Sequence, residues 1–437
     1  MQLAALHKII HLSLSLDLHL SVSFTPLLSL ENSTNIISLF FTVLHSHQSH
    51  LMETEEPKEA VLSVPLSLDD EDVSNIKDYR APNLVKRILS LFTNIRPGSD
   101  LTRLQLPPLF NIPKSQLQCY GELVYSNNND LLRKCATGVG EINSASERFL
   151  CVVAWSISAV RPLAFGVTPF NPILGETHHV SNANLNVLLE QVSHHPPVSA
   201  LHATDQTQNI ETIWCHYVIP TFHGTYVEGK VHGSKVLKLL NNSETYVMNS
   251  PNLVMRLFPV PGVEFLGNVT IRCQETGLEA ELKYKGSAFF GRRSSTHRAI
   301  EGKIYRSSSM KTLYEIAGHW DKTVTAKDPI SGKLRIIYNA KEAIVGLKTP
   351  IVKNPKGLWE SESAVVWGEV NKGIMSKNWD KAREAKSLVE ENERKLVKHR
   401  DSCWVPKHFT LSYSKEAGWD CSPIQRWVPP APIVVPS

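Results

Sequence analysis

Residues 194–197 read His-His-Pro-Pro and follow the strand-like run Leu185-Asn-Val-Leu-Leu189. Proline locks its own φ and pushes the residue before it into an extended conformation. His195 is therefore not expected inside a helix, and the His-His step is held in one shape at a strand end. Two readings stay open on these residues alone. The pair could present two ring nitrogens to a ligand, or it could be a strand-capping turn whose rings bond to backbone. In a continuing strand, neighbouring side chains point to opposite faces. Bringing both rings to one ligand therefore requires the turn at Pro196-Pro197 to bend at least one of them round.

A second set lies nearly two hundred positions further on. Lys386, Glu390 and Arg394 are spaced i, i+4, i+8, a drift of only about 80° on a helix, so all three project from one stripe. A compact ammonium, a carboxylate and a planar guanidinium fork on one stripe can read an anion. The same spacing also describes a solvated helix with favourable i,i+4 pairs.

The elements that must position these groups can be read in outline. Leu84, Val85, Ile88, Leu89 and Phe92 fall on one face of a helix over 83–92, with Lys86, Arg87 and Ser90 opposite and Pro97-Gly98 as its stop. A helix of about ten residues is marginal alone and needs an apolar partner, the core or a bilayer surface. Asn143 to Val160 is apolar nearly all round and predicts a buried core helix. Leu278-Glu-Ala-Glu-Leu-Lys-Tyr-Lys285 alternates at period two, a strand with one buried face. Similar short runs at 213–219, 225–231, 265–273, 311–317 and 334–338 are separated by turn residues, with no helix-length segment between them. Consecutive short strands predict an antiparallel sandwich or barrel, and a large barrel can enclose a cavity. Residues 377–400 predict a charged helix, and the tail beyond Trp404, rich in Trp and Pro, is expected to wrap over the surface.

The chain has 437 residues, 42% hydrophobic content and a net charge of +4. That suffices for one large domain and argues against a polyanion partner such as nucleic acid. Seven cysteines without a Cys-x-x-Cys pair suit free thiols in a reducing compartment. Residues 1–51 are rich in Leu, Ser and His, and no apolar run there reaches the roughly 18–20 residues of a membrane span. They read as a variable extension ahead of Met52, and the acidic stretch 53–75 reads as disordered. An enzyme using His178-His179 and His194-His195 as metal ligands is the remote alternative. Adjacent histidines converge poorly on one metal, and neither His-Glu-x-x-His, a phosphate loop nor a nucleophile elbow is present.

Glu190-Gln191-Val192-Ser193-His194-His195-Pro196-Pro197 resembles the fingerprint of the oxysterol-binding protein family of lipid-exchange proteins. Leu106-Pro107 with Pro113-Lys-Ser115-Gln-Leu117, Asn171-Pro-Ile-Leu-Gly-Glu176 and Trp404-Val-Pro-Lys-His-Phe409 resemble further family landmarks, in the expected order. The resemblance covers about residues 75–436 and is greatest to the short plant members. It implies a mainly β fold with flanking helices: a large incomplete antiparallel β-barrel around a hydrophobic lipid tunnel, spanning 75–437 after an extension at 1–74. The lid would occupy about 80–105, the barrel about 160–370 and the C-terminal helical part 371–437. His194, His195, Lys386, Glu390, Arg394 and Asn171 would hold the headgroup of phosphatidylinositol 4-phosphate. Leu84, Val85, Ile88, Leu89, Phe92 and Leu106 would form the lid and touch lipid. The second lipid would be a sterol or phosphatidylserine. The implied protein has no metal or cofactor beyond bound lipid and is not an enzyme. It is cytosolic and peripherally associated with intracellular membranes. A lipid sensor or scaffold without net transport is the alternative. One departure is clear: the family usually has Lys-Pro-Phe-Asn-Pro, and this chain has Thr168-Pro-Phe-Asn-Pro172, one cation fewer near the headgroup, with Arg161 nearby.

Overall fold

Leu278, Ala280, Leu282 and Tyr284 are buried, while Glu279, Glu281 and Lys283 between them face outward. The segment is thus a strand with one face on a core, as its alternation predicts. It belongs to a wall of such strands. The computed structural model describes residues 59–66, 81–126, 130–138, 144–161, 164–286, 297–344, 347–399, 404–416 and 418–437. The expectations for 1–58 and 67–80 lie outside them.

In chain order the strands are β1 (Asn111–Ser115), β2 (Thr168–Phe170), β3 (Thr177–Asn182), β4 (Leu185–His194), β5 (Pro197–Asp205), β6 (Ile210–Phe222), β7 (Tyr226–Leu239), β8 (Glu244–Met248), β9 (Asn252–Arg256) and β10 (Gly262–Cys273). They continue with β11 (Leu278–Tyr284), β12 (Ala299–Arg306), β13 (Lys311–His319), β14 (Thr323–Lys327), β15 (Leu334–Asn339), β16 (Ile351–Val352), β17 (Phe409–Ser414), β18 (Gly418–Pro423) and β19 (Ile433–Val434). The helices are α1 (Leu84–Phe92), α2 (Gln116–Tyr125), α3 (Asp130–Thr137), α4 (Ala145–Ser158), α5 (Ala340–Ile344), α6 (Ser363–Val366), α7 (Gly368–Met375) and α8 (Trp379–His399).

The main sheet runs β15-β14-β13-β12-β11-β10-β8-β7-β6-β5-β4-β3-β19-β16, with β9 pairing both β7 and β10. Its two end strands, β15 and β16, do not pair with each other, so the large antiparallel barrel is incomplete. α4 fills its core. Residues 147–158 of this helix are all buried, and each large apolar side chain there (Phe149, Trp155, Ile157) contributes roughly 1.5–3 kcal/mol. Ser144 caps the helix by accepting from the Glu147 amide at 3.3 Å. Two charges on its first turns are answered from the wall: Arg148 donates to Glu244, and Arg335 to Glu147.

Two expectations need correction. Residues 59–66 belong to the domain. The Val61 amide donates to the Ala364 carbonyl at 2.9 Å, and the Leu66 amide to Glu122 at 2.9 Å. Leu66 is buried; the acidic composition that reads as disorder contains Val61, Leu62 and Leu66, which this packing uses. The tail, moreover, does not simply wrap the surface. β19 is a wall strand, parallel to β3 with Ile433 opposite Val180, and Ile433 is fully buried. A two-residue strand is too short to show a period. The six cysteines among the described residues are all buried free thiols.

Candidate functional site

The hairpin β4–β5 turns at His195-Pro196, with His194 opposite Pro197. The turn thus falls one residue earlier than expected. It removes His195 from the strand and brings the two rings together, edge to face with centroids 4.8 Å apart. His194 Nδ1 lies 3.2 Å from the Pro172 carbonyl. A carbonyl only accepts, so Nδ1 carries the proton and Nε2 is the free position. Burial, with His195 adding to it, pushes the His194 pKa below the ordinary histidine value.

The rest of the fingerprint supports this turn. Glu190 is fully buried, and its carboxylate accepts the Lys407 and His408 amides at 2.7 and 2.8 Å. Gln191 donates to the Ser193 carbonyl at 2.9 Å and accepts from Ser199 at 2.7 Å. Val192 packs with Phe409 and Cys421 under the C-terminal hairpin. These residues fasten the tail and the turn and leave the histidines free.

The Asn171–Glu176 loop is braced the same way. Glu176 accepts from the Ile173 amide, the Ser363 hydroxyl and the Trp367 indole at 3.0, 2.7 and 2.9 Å. Gly175 has φ +79°, and a Cβ there would stand 3.2 Å from the Trp404 ring, so the position demands glycine. Asn171, at the start of the loop, is exposed.

α8 carries the cationic stripe. Ala382, Ala385 and Val389 seat it against Phe170, Trp367 and Ile374. Lys386 then donates to the Leu106 carbonyl and, at 3.1 Å, to Asn111 Oδ1. Glu390 stands between the cations, 3.8 Å from Lys386 and 3.4 Å from Arg394. Burial lowers the Lys386 pKa, and Glu390 opposes that shift.

His194, His195, Asn171, Lys386, Glu390 and Arg394 all line one cavity of roughly 1060 Å³. Its other walls are mostly apolar. On β6, β7, β9 and β10 every second residue points in: Val218 and Pro220, Val227 and Val231, Leu253 and Met255, Val263 and Phe265. Ile88, Phe92 and Leu106 line the cavity, joined by Leu91. Phe92 stacks on Phe222 at 5.0 Å. Leu84 is buried beside Gly166 but does not line the cavity. Val85 and Leu89 correct the expected single face: they do not line the cavity, and each is 45% exposed. The apolar stripe is wider than the contact, so its edge remains outside.

Thr168 and Arg161 also line the cavity. The Arg161 side chain is buried and donates to the Leu66 carbonyl at 3.4 Å.

Several contributors were missed in the sequence. Asn111 links α8 to β2 by donating to the Thr168 and Pro169 carbonyls at 3.2 and 3.3 Å. α2 is opened by a capping box, Ser115 with Gln118, whose S-x-x-Q spacing was legible. Lys235 and His216 are buried polar residues on the cavity wall. Period-two counting from Val227 and Val231 places Lys235 on the inward face.

No described helix is long and apolar enough to cross a membrane. Among the described residues no group of three His, Cys, Asp or Glu could hold a metal ion.

An incomplete barrel around an apolar cavity with a cationic rim defines a class of lipid-binding domain. The family model described as "Oxysterol-binding protein" matches residues 89–372. Oxysterol-binding protein-related protein 4C of Arabidopsis thaliana is 53% identical over 384 residues, covering 87% of this chain and 99% of its own. Protein 4A of that plant is 50% identical over 388 residues, covering 88% and 98%. The solved Osh1 ORD domain in complex with cholesterol is similar in fold, with a TM-score of 0.66 at 22% identity over 84% of this chain and 90% of that one. The Osh3 ORD in complex with PI(4)P from Saccharomyces cerevisiae gives 0.60 at 20% identity, over 83% and 93%. The chain belongs to the oxysterol-binding protein family.

Proposed function

We propose that the protein extracts phosphatidylinositol 4-phosphate from a membrane and exchanges it for a second lipid, such as a sterol, in the same cavity. One observation carries the reading: a histidine pair, a loop asparagine and a basic stripe from three distant stretches of chain line one cavity whose walls are mostly apolar. The phosphate would sit among His194, His195 and Lys386, with Arg394 as the outer fork, Glu390 orienting the cations and Asn171 facing the inositol. Acyl chains would occupy the cavity beneath α1. The cognate complexes of two proteins of this fold, one with cholesterol and one with PI(4)P, accord with both halves of the exchange.

The energetics explain why a carrier is useful. About thirty methylenes exposed at ~0.8 kcal/mol each would cost roughly 24 kcal/mol during unassisted desorption. An apolar cavity removes most of that cost, and the chemistry requires no covalent step. The protein would act peripherally on the cytosolic faces of intracellular membranes.

A liposome-to-liposome assay tests the reading. Donor vesicles carry the phosphoinositide and acceptors carry sterol; counter-transfer of both is expected. Binding without transfer would make the protein a lipid sensor instead.

A further inference from the structure

A second polar centre lies on the cavity wall, away from the histidine turn. Lys235 on β7 is 5% exposed and lines the cavity. Its ammonium lies 4.3 Å from the centroid of the Trp214 ring. Among the described residues it has neither a hydrogen-bond acceptor nor a carboxylate partner; burial alone shifts its pKa, down to about 7. Cation–π contact compensates only part of the cost of burying a cation.

The register locates this group. Leu201 on β5 is opposite Trp214 on β6, which is opposite Lys235 on β7. Leu201 is four residues from Pro197 at the turn, so Lys235 lies about 13 Å down the wall from the histidines. His216 stands next to it on the inward face of β6, its ring 5.5 Å from that of Trp214 and its Nε2 3.5 Å from the Ser250 hydroxyl. Among the described residues, the carboxylates lining the cavity, Glu390 and Glu393, are both on α8, so neither stands on this stretch of wall. The inner wall therefore holds a cation and two further polar groups, with no described carboxylate on that stretch to meet them.

We infer that Lys235 is the anchor of an inner subsite that takes a carboxylate-bearing lipid, its carboxylate on the Lys235 ammonium and its hydrocarbon toward the mouth. The hydrogen-bonded His216–Ser250 pair supplies one further donor to the carboxylate oxygens. The subsite sets which second lipid the cavity prefers: a long-chain acid above the matching alcohol. Bound carboxylate restores the charged lysine that burial disfavours, so ligand and cation stabilise each other.

The test uses delipidated full-length protein titrated with oleate and with oleyl alcohol, which share a chain and differ in the terminus. The wild-type protein is expected to bind oleate at least about tenfold more tightly. Lys235→Met is expected to lose that preference while still taking up oleyl alcohol, and Lys235→Arg to retain it. Equal affinity of the wild type for both probes, or an undiminished oleate preference in Lys235→Met, overturns the inference. The wild-type comparison alone decides if a variant fails to fold. Neither probe carries a phosphate, so the headgroup reading at the mouth stands or falls separately.

Discussion

Lys386 on α8 donates to Asn111 Oδ1 at 3.1 Å, and the Asn111 amide in turn donates to the Thr168 and Pro169 carbonyls. Pro169 is only three residues from Pro172, whose carbonyl receives His194. One asparagine thus couples the helix cation to β2, which leads into the loop whose Pro172 carbonyl holds His194, across at most roughly 10 Å of backbone. Lys386→Met should weaken binding to vesicles containing the phosphoinositide by about tenfold or more, the loss of a charged hydrogen bond worth about 1.5–3 kcal/mol. Asn111→Leu should weaken it less, because the cation remains but loses its aim. Vesicle flotation at several salt concentrations checks both, and an effect of Asn111→Leu exceeding that of Lys386→Met would refute the coupling.

Replacing His194 and His195 together by Ala should abolish extraction while leaving the thermal midpoint nearly unchanged. Neither ring belongs to a core cluster, and the turn is held by Glu190 and Gln191. Full extraction by the double variant would remove the histidines from the headgroup site.

Proton uptake should accompany binding. With Nδ1 committed to Pro172, His194 can donate to phosphate only through a protonated Nε2. Its pKa in the free protein lies below the ordinary ~6.5, and a phosphate neighbour raises it. Between those two values the complex binds more protons than the free protein, so affinity falls as pH rises through the window. Phosphate has its own second ionisation near pH 6, so the comparison must be with His194→Ala. Calorimetry in buffers of different ionisation enthalpy counts the protons, and equal counts for both proteins would contradict the assignment.

Glu190→Ala should release the tail. It strips the acceptor from two backbone amides at a buried site, a loss of about 2–4 kcal/mol. A lowered thermal midpoint and faster proteolysis around residues 405–425 are expected; unchanged protection would show that the hairpin β17–β18 holds by itself.

Helix α1 presents two faces that can be tested separately. Gly166 has φ +85°, and a Cβ there would lie 2.2 Å from Ile88 Cδ1. Gly166→Val should therefore lift α1 and shorten lipid retention. Val85→Asp with Leu89→Asp, on the exposed face, should reduce vesicle association and leave retention intact. Loss of both properties in both variants would mean the faces are not separable.

The strands were readable because each buries one face, and period two survives wherever a wall has an inside and an outside. The stripe on α8 was readable for the same geometric reason. The N-terminal contact at 59–66 and β19 were not. Both are short extended pieces whose place depends on partners far away in the chain, Glu122 and Ala364 for one and Val180 for the other. Lys235 was overlooked for a different reason. A lysine in a strand reads as solvent-facing until its parity is counted against Val227 and Val231. Leu84, Val85 and Leu89 were grouped with the cavity residues because a helical stripe gives direction but not the width of the contact.

The seam between β3 and β19 has a bearing on synthesis. Val180 waits for Ile433, roughly 250 residues later, which at about 5–20 residues per second takes the ribosome some 10–50 s. During that interval one margin of the nascent wall offers unpaired amides and carbonyls to any extended segment nearby. Only the last residues of the chain cover that margin, where Ile433 and Val434 pair with Val180 and Ser181.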